Sequence, residues 1–397
     1  MTGMSVSFPL ASTTWDDEER AALQRVIDSG RFTMGQEVRA FEEQFATFFG
    51  SKYAVMVNSG SSANLLGLAA AFYHPDLGLQ PGDEVIVPAV SWSTTYYPVH
   101  QCRLSLRFVD VDRRTLNLDP DLVEAAITPR TKAIFAVNLL GNPCDFARLR
   151  DIAKRHSLLL FEDNCESMGA LFDKRQAGTL GLFGTFSTFF SHHICTMEGG
   201  VVVTDDRKLY HTMLSIRAHG WMREQPQDSH LAGDSDEFKR LFRFVLPGYN
   251  LRPLEMEGAL GQTQLRKLPG FVAERRANAA RFTNAFGNLP GIRIQQETGE
   301  SSWFGFAIIL EGKLAGKRGG LVQKLQQEGV ECRPIVAGNF TANPVLAHLD
   351  HTIAGPLPVA EEIDANGFFI GNHHYATGDK IEAIADLVRD FALRHSA

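Results

Sequence analysis

Residues 158–167, LLLFEDNCES, carry the pattern that decides the fold class, because an apolar run ends directly in acidic and amide side chains. Leu158–Phe161 is apolar at every position, which is typical of a strand buried on both faces of a parallel sheet. In open α/β sheets, ligands bind at the carboxyl ends of the strands. We therefore expect a binding site just after Phe161, with acids that only cap a following helix as the alternative.

Similar apolar runs recur between residue 53 and about residue 206, and helical stretches separate them. This alternation predicts an α/β architecture with a mostly parallel, seven-stranded sheet. Two amphipathic helices within Trp15–Phe49 precede the first strand. The seven predicted strands are Tyr53–Val57, Glu84–Val90, Leu104–Val111, Ala133–Leu139, Leu158–Phe161, Phe183–Phe190 and Val201–Thr204.

The pattern changes in the C-terminal third of the chain. A long helical stretch, Leu254–Phe286, leads into a region with a predicted strand at Trp303–Leu310 and predicted helices at Gly320–Gly329 and Lys380–His395. We predict a large domain, residues 1–265, that includes an N-terminal arm, and a smaller α+β domain, residues 266–397.

Composition narrows the class of protein. The 397 residues are 44% hydrophobic and 21% charged, which is close to the globular average. A net charge of -7 gives no basic surface for nucleic acid. The five cysteines lack C-x-C or C-x-x-C spacing, and no run of about 18 apolar residues occurs. The first 20 residues lack the basic region and apolar core typical of a secretory leader, so we expect none. We expect a cytoplasmic protein with no metal and with neither membrane nor nucleic-acid partners.

The segment Val57–Asn64, VNSGSSAN, follows a predicted strand and opens a helix rich in Ala and Leu. Gly60, Ser61 and the neighbouring hydroxyls would present free backbone N–H groups at the positive end of that helix, where a phosphate binds well. The segment is neither a Walker loop nor a G-x-G-x-x-G. A plain serine N-cap with a glycine turn is the alternative.

Two side chains at strand ends suggest an aromatic cofactor. Asp163 could keep the pyridine nitrogen of pyridoxal phosphate protonated, which makes the ring an electron sink. Trp92 follows another predicted strand, and its indole could stack on the cofactor ring. A loop tryptophan that only packs against its neighbours is the alternative for Trp92.

The segment Phe186–Gly200, FSTFFSHHICTMEGG, joins a predicted strand to a glycine-rich turn and contains two adjacent histidines, His192 and His193. Side chains at neighbouring positions diverge and no third ligand lies at a typical spacing, which argues against a metal site. Acid/base catalysis suits an imidazole, whose ordinary pKa lies near neutrality. The residues alone leave both histidines as candidates, alongside ordinary polar loop packing.

Taken in order, SGSSAN, VPAVSWSTTY, FEDNCESMGA, FSTFFSHHICTMEGG and GYNLRPLEMEGALG resemble the fold-type I aminotransferases of the DegT/StrS type, which use pyridoxal phosphate on nucleotide sugars. The resemblance covers nearly the whole chain. In that family a lysine stands six residues before the Glu of an E-G-G turn, and here His192 takes this place before Glu198-Gly199-Gly200. The members with histidine there are sugar 3-dehydratases.

The resemblance implies roles for further residues. Ser187, Gly60 and Ser61 would hold the cofactor phosphate, together with Asn250 from a partner subunit. Trp92, Asp163, Glu166 and Ser191 would surround the ring, and His219 and Arg223 would meet the substrate at the dimer interface. One site completed by two chains implies a homodimer.

The resemblance also implies the reaction. Imidazole cannot hold the cofactor covalently as lysine does, so pyridoxal 5'-phosphate would bind noncovalently and L-glutamate would convert it to pyridoxamine 5'-phosphate. His192, as general acid/base, would then help to remove the 3-hydroxyl of a 4-keto-6-deoxy sugar. The favoured substrate is GDP-4-keto-6-deoxy-D-mannose, with GDP-4-keto-3,6-dideoxy-D-mannose as the product, in deoxysugar synthesis of the colitose and O-antigen type.

Three other readings stay open. A CDP-linked 3-dehydratase also carries the histidine but holds an iron–sulfur cluster, for which the scattered cysteines are poorly placed. A nucleotide-sugar aminotransferase would need the missing lysine. A noncatalytic protein that binds a nucleotide sugar could tolerate its loss.

Overall fold

A computed structural model describes residues 7–231, 236–240 and 242–395. Helices and strands alternate along the first half of the chain, and one long helix leads into the second region. The helices are α1 (Asp17–Ser29), α2 (Gln36–Phe49), α3 (Gly60–Phe72), α4 (Ser93–Gln101), α5 (Pro120–Ala125), α6 (Phe146–Arg155), α7 (Arg207–Arg217), α8 (Glu237–Arg240), α9 (Glu255–Phe286), α10 (Arg318–Gln327), α11 (Pro358–Asn366) and α12 (Lys380–His395).

The strands form one large sheet, one smaller sheet and a short hairpin. They are β1 (Tyr53–Val57), β2 (Glu84–Pro88), β3 (Ser105–Val109), β4 (Thr131–Val137), β5 (Leu159–Asp163), β6 (Leu171–Phe172), β7 (Arg175–Gln176), β8 (Phe183–Ser187), β9 (Gly200–Thr204), β10 (Ile292–Ile294), β11 (Gly305–Leu310), β12 (Cys332–Arg333), β13 (His351–Ile353) and β14 (Gly367–Gly371). Short 3₁₀ turns lie at Leu139–Gly141, Gly312–Leu314, Phe340–Ala342 and Pro344–His348.

The large sheet has the strand order β1-β9-β8-β5-β4-β2-β3-β13 among the described residues. Neighbouring strands from β8 to β13 in this order pair in parallel, whereas β9 runs antiparallel to both β1 and β8. The predicted α/β class and mostly parallel sheet are confirmed. The carboxyl ends of β2, β4, β5 and β8 therefore meet at one edge, which we call the carboxyl edge.

The strands of this sheet bury side chains on both faces, which explains their apolar runs. In β1, Val55 and Val57 pack with α3, α4 and α7, whereas Ala54 and Met56 pack with α2 and α9 on the opposite face. Successive side chains of a strand point to opposite faces, so a strand covered by helices on both sides needs apolar residues at every position.

The smaller sheet is antiparallel, with the order β10-β11-β14-β12. On one face, Phe306 and Ile308 of β11 pack with α9, α10 and α12. On the other face, Ile309 belongs to the same apolar cluster as Val90 and Leu140, which follow β2 and β4 of the large sheet. The smaller sheet is thus held against the carboxyl edge.

One feature goes beyond the sequence prediction. The large sheet contains an eighth strand, β13, which pairs in parallel with β3. The sequence did not indicate it because His351–Ile353 is only three residues long and lies outside any apolar run. The boundary between residues 265 and 266 stays a proposal: it falls inside α9, and Phe8 of the N-terminal arm packs in the cluster of the smaller sheet.

Candidate active site

Asp163 ends β5 at the carboxyl edge, and its side chain is only 6% exposed. Its Oδ2 accepts hydrogen bonds from Asn64 Nδ2 at 2.8 Å and from Thr95 Oγ1 at 2.7 Å. The backbone N–H of Cys165 donates to Oδ1 at 3.2 Å. The start of α3, the start of α4 and the loop after β5 therefore fix this carboxylate in one orientation.

Asn64 and Thr95 are site residues that sequence reasoning missed. Both lie inside the motifs that carried the resemblance, but nothing in a single sequence indicates that they meet Asp163. Thr185 of β8 adds a further link, because its hydroxyl donates to Asn64 Oδ1 at 2.6 Å and so directs the amide group of Asn64 toward Asp163.

The turn that we predicted to bind a phosphate lies at the N-terminus of α3, next to the end of β8. Ser59 caps the helix, since its Oγ accepts from Ser62 N at 3.1 Å. An added Cβ on Gly60 would lie 2.6 Å from Ser187 Cβ, so only glycine lets this helix start approach β8 so closely. Ser61 is exposed beside them. Hydroxyls and free N–H groups thus converge at the positive end of a helix.

The close approach of Gly60 to Ser187 makes a testable prediction. Gly60→Ala is expected to weaken pyridoxal phosphate binding about tenfold or more, because overpacking typically costs about 1–3 kcal/mol and displaces the cradle. Fluorescence titration with the cofactor measures the effect. Gly270→Ala is the matched control, since an added Cβ there meets nothing within 4 Å. Equal affinity of Gly60→Ala and the parent protein would show that the turn does not hold the cofactor.

Trp92 and Glu166 lie in the chain segments that follow β2 and β5 at the carboxyl edge. Trp92 is the N-cap residue of α4 and is 57% exposed, so much of its indole is open to a ligand. Glu166 Oε2 accepts from Leu140 N at 3.0 Å. Burial raises the pKa of Glu166 to about 7, and the nearby Asp163 adds to the rise while the Leu140 N–H opposes it.

The two histidines have different surroundings. His193 is fully buried, and its Nε2 lies 3.2 Å from the carbonyl oxygen of Ser302, which ties the ring to the polypeptide backbone. His192 is partly exposed, and its Nδ1 is buried with no hydrogen-bond partner in the described part of the chain. The His193 Nδ1 is also unpartnered. This geometry favours His192 as the imidazole that is free to act on a ligand.

The ring of His192 packs in an apolar setting, with centroids 5.1 Å from Phe304 and 5.9 Å from Phe189. Burial, and next the charge of Arg275, lowers the pKa of His192 to about 4. The same causes lower the pKa of His193 well below its usual range. His192 is therefore neutral at pH 7 and holds a free lone pair.

Phe304, in the second region of the chain, links His192 with Glu166 because its ring packs on His192 and its backbone bonds to Leu140. Phe304 N donates to Leu140 O at 3.0 Å, and Leu140 N in turn donates to Glu166. Ser191, which is partly exposed, directly precedes His192. The fold thus gathers most of the predicted residues at the carboxyl edge, namely Gly60, Ser61, Trp92, Asp163, Glu166, Ser187, Ser191 and His192.

Asn250, His219 and Arg223 form a separate, more exposed group. His219 N donates to the carbonyl of Tyr249 at 2.7 Å, and the guanidinium of Arg223 lies 5.6 Å from the ring of Trp221. Between residues 7 and 231 and in the described segments that follow, no hydrogen bond joins these three side chains to Asp163 or His192. Their roles toward a cofactor or substrate stay predictions.

The residues at the carboxyl edge fit pyridoxal phosphate. The Gly60–Ser187 contact forms a cradle that an added Cβ would fill, and Asp163 offers an oriented carboxylate. The unpartnered Nδ1 of His192 adds a buried polar atom that the protein leaves unsatisfied. Phosphate, ring nitrogen and reacting carbon of such a cofactor thus have matching groups.

A search of the described ranges finds no set of three or more His, Cys, Asp or Glu side chains placed to hold a metal ion. No helix within those ranges is long and apolar enough to cross a membrane. All five cysteines are free thiols.

Comparison with known proteins gives consistent matches. Residues 13–389 match the DegT/DnrJ/EryC1/StrS aminotransferase family. The chain is 55% identical, over 98% of its length and 100% of the relative, to GDP-4-keto-6-deoxy-D-mannose 3-dehydratase of Yersinia pseudotuberculosis. A solved structure of a variant GDP-4-keto-6-deoxymannose-3-dehydratase with bound GDP-perosamine is 52% identical, with a TM-score of 0.94 over 96% of this chain and 100% of that chain.

A second solved structure, of GDP-4-keto-6-deoxymannose-3-dehydratase with a trapped PLP-glutamate geminal diamine, matches equally well. It is 52% identical, with a TM-score of 0.94, and the match covers 96% of this chain and 100% of that chain.

Proposed function

Because the chain belongs to the DegT/DnrJ/EryC1/StrS aminotransferase family, we propose that it is the pyridoxal phosphate-dependent 3-dehydratase of a GDP-linked 4-keto-6-deoxy sugar. Its substrate is GDP-4-keto-6-deoxy-D-mannose and its product is GDP-4-keto-3,6-dideoxy-D-mannose. L-Glutamate is the amino donor that converts the cofactor to pyridoxamine 5'-phosphate. The close relatives named for this substrate, and the relative trapped with PLP-glutamate, support the proposal.

One observation carries the choice of dehydration over amino transfer. The position six residues before Glu198-Gly199-Gly200 holds His192, a neutral imidazole with an unpartnered Nδ1, where an aminotransferase of this family needs a lysine amine. An imidazole exchanges protons readily but forms no lasting covalent bond to an aldehyde. His192 therefore supports acid/base chemistry on a noncovalently bound cofactor.

The residues at the carboxyl edge have different roles in the proposed reaction, and most of them bind or orient the cofactor. The cofactor, once bound and charged by glutamate, supplies the electron sink that lets the C3–O bond of the sugar break. Gly60, Ser61 and Ser187 would hold its phosphate, and Asp163, oriented by its three donors, would keep a proton on the ring nitrogen. Trp92 would cover one face of the ring. Each of these groups orients the cofactor without itself moving a proton.

His192 moves the proton. Its lone pair would accept a proton from the carbon next to the cofactor ring, and the resulting imidazolium would give that proton to the 3-hydroxyl oxygen, which would leave as water. Acid/base assistance of this kind is typically worth about 10²- to 10⁴-fold in rate. The apolar contact with Phe304 shields one side of the imidazole from bulk water.

We include a homodimer, a cytoplasmic location and a role in colitose-type O-antigen synthesis in the proposal. Exposed aromatic and aliphatic side chains support a dimer, since contiguous exposed apolar surface is typical of interaction sites. Phe32 is 51% exposed and Leu254 is 49% exposed, and their chain segments are joined, since Glu255 N donates to Phe32 O. The exposed Asn250 is then available to a second subunit. The free cysteines support a reducing compartment.

The decisive experiment supplies purified protein with pyridoxal phosphate, L-glutamate and GDP-4-keto-6-deoxy-D-mannose. We expect release of ammonia and a sugar product lacking the 3-hydroxyl, measured by mass spectrometry, with no turnover when glutamate is omitted. A CDP-linked 4-keto-6-deoxy sugar serves as the specificity control. An amino sugar as product would instead establish amino transfer, and binding without turnover would establish a noncatalytic protein.

A further inference from the structure

Arg275 of α9 is a buried cation without a carboxylate partner in the described parts of the chain. Its side chain is 4% exposed, and its Nε is buried and unpartnered. Burial lowers the pKa of Arg275 only to about 10, so the group is charged at pH 7. An unpaired charge inside a protein is costly, and such charges concentrate at functional sites. Its surroundings therefore call for a functional explanation.

The guanidinium binds backbone carbonyls instead of an acid. Nη1 donates to Phe304 O at 3.0 Å and to Asn372 O at 2.9 Å, with Trp303 O at 3.5 Å. These bonds hold the segment Ser302–Phe304 just before β11. Arginine suits this task, because its planar fork presents several donors in fixed directions.

The segment Ser302–Phe304 has a strained backbone, so hydrogen bonds such as those from Arg275 are needed to clamp it in place. Trp303 has a φ of 49°, a left-handed conformation that is unfavourable for a bulky residue. Hydrogen bonds to the turn after β4 hold the other side of the segment, since Ser302 N donates to Gly141 O at 2.9 Å and Phe304 N to Leu140 O. The segment is thus fixed between Arg275 and the carboxyl edge.

The two histidines pack on this clamped segment. The Phe304 ring centroid lies 5.1 Å from that of His192 and 5.8 Å from that of His193, and the Ser302 carbonyl contacts His193. A displacement of the segment would therefore move the rings that sit on it. Arg275 is thus linked to His192 through the packing of Phe304, without a hydrogen bond to the imidazole.

The charge of Arg275 reaches His192 as well. The segment Ser302–Phe304 and the nearby Phe189 contribute no titratable group, and Arg275 of α9 and His193 of the same loop both contact Phe304. Both are bases, and neither favours a protonated imidazole. The pKa of His192, lowered to about 4 by burial and by Arg275, agrees with this arrangement.

We propose that Arg275 is a positioning residue for the dehydration: it clamps Ser302–Phe304 beneath His192, and its buried charge keeps the imidazole unprotonated in the resting site. The proposal rests on the proposed function insofar as His192 is the acid/base group. Anionic ligands, such as a phosphate or a nucleoside diphosphate, raise the pKa of a nearby imidazole. Their entry would make His192 a stronger base when substrate is present.

The test measures the pKa of His192 by NMR titration of ¹³C-labelled histidine in the cofactor-free protein, with His192→Asn to assign the signal. Arg275→Met, which removes the charge but keeps the length, is expected to raise this pKa by about one unit. Arg276→Met is the matched control, because Arg276 contacts the same region through Ser301 O and Glu300 but is partly exposed and paired with that acid. It should leave the pKa of His192 unchanged.

A second readout uses the loaded enzyme. In Arg275→Met, the acidic limb of the kcat/KM profile for dehydration should shift to higher pH with the pKa, and kcat should fall because the segment is no longer held. Arg275→Lys should restore the position of the limb but not kcat, because lysine keeps the charge but loses the planar fork. A folded Arg275→Met protein with an unchanged His192 pKa would overturn the proposal. If that variant does not fold, Arg275→Gln, which removes the charge but keeps hydrogen-bond donors, replaces it: a raised His192 pKa supports the proposal and an unchanged one overturns it.

The NMR titration separates the two proposals. It requires neither cofactor nor turnover, so it reports on Arg275 even if the parent protein fails to dehydrate the sugar. Conversely, normal dehydration together with an unshifted pKa would leave the proposed function intact and remove only the role of Arg275.

Discussion

His192→Lys is expected to lower the rate of 3-dehydration about 10²- to 10⁴-fold, which is the usual contribution of acid/base catalysis. At the same time the lysine amine is expected to bond covalently to the cofactor aldehyde, because the apolar surroundings of residue 192 favour the uncharged amine that reacts. Stopped assays of ammonia release measure the first effect, and the absorbance spectrum of the bound cofactor measures the second.

Two further variants separate the possible causes of this loss. His192→Asn keeps a polar side chain but removes the proton acceptor, so it should lose dehydration without a change in the cofactor spectrum. His230→Asn is the control, because it removes a partly buried histidine whose Nε2 lies near Thr212 Oγ1 on α7. Dehydration by His192→Lys at the parental rate would show that another group moves the proton, and His193 would be the next residue to test.

Asp163→Asn is expected to slow the reaction on the order of 10²- to 10³-fold, comparable with the loss of one preorganised electrostatic group. The asparagine side chain has the same shape, and its oxygen still accepts from Asn64 and Thr95, so the fold around it should persist. The negative charge that keeps the ring nitrogen protonated is lost. Single-turnover kinetics with saturating cofactor isolate this effect from weaker binding.

Asp110→Asn is the matched control for Asp163→Asn. Asp110 directly follows β3, is 2% exposed and accepts hydrogen bonds from the backbone N–H groups of Val359 and Ala360. Its replacement should lower the melting temperature but leave the turnover of the folded protein near the parental value. If Asp163→Asn also changes only stability, the carboxylate caps the structure and does not serve the cofactor.

Much of the fold could be predicted because local patterns of apolar residues directly indicate helices and strands. The bounds of α12 and β1 agree with the predicted ranges, and α9 begins one residue later than predicted. These elements have long periodic or uninterrupted apolar sequences. In contrast, β13 consists of three residues with no apolar run, and its place beside β3 depends on the chain returning from the second region.

The candidate site, like the fold, could be predicted only in part from the sequence. The positions of Asp163 at a strand end and of Gly60 at a helix start follow from motifs of a few residues. The partners of Asp163 do not, since Asn64 is 99 residues away and Thr95 is 68 residues away. Pairing at such separations is decided by which strands are neighbours in the sheet, and one sequence does not specify that order.

The amino-acid sequence by itself determined that buried parallel strands end in polar residues and that an imidazole replaces the amine before Glu198-Gly199-Gly200. Only the tertiary structure decided which imidazole is free. His193 is held by the Ser302 carbonyl and His192 is not, because the smaller sheet packs on the carboxyl edge and places Ser302–Phe304 against the two rings. The two adjacent histidines have identical side chains, so they differ only in the groups that the rest of the fold packs against them.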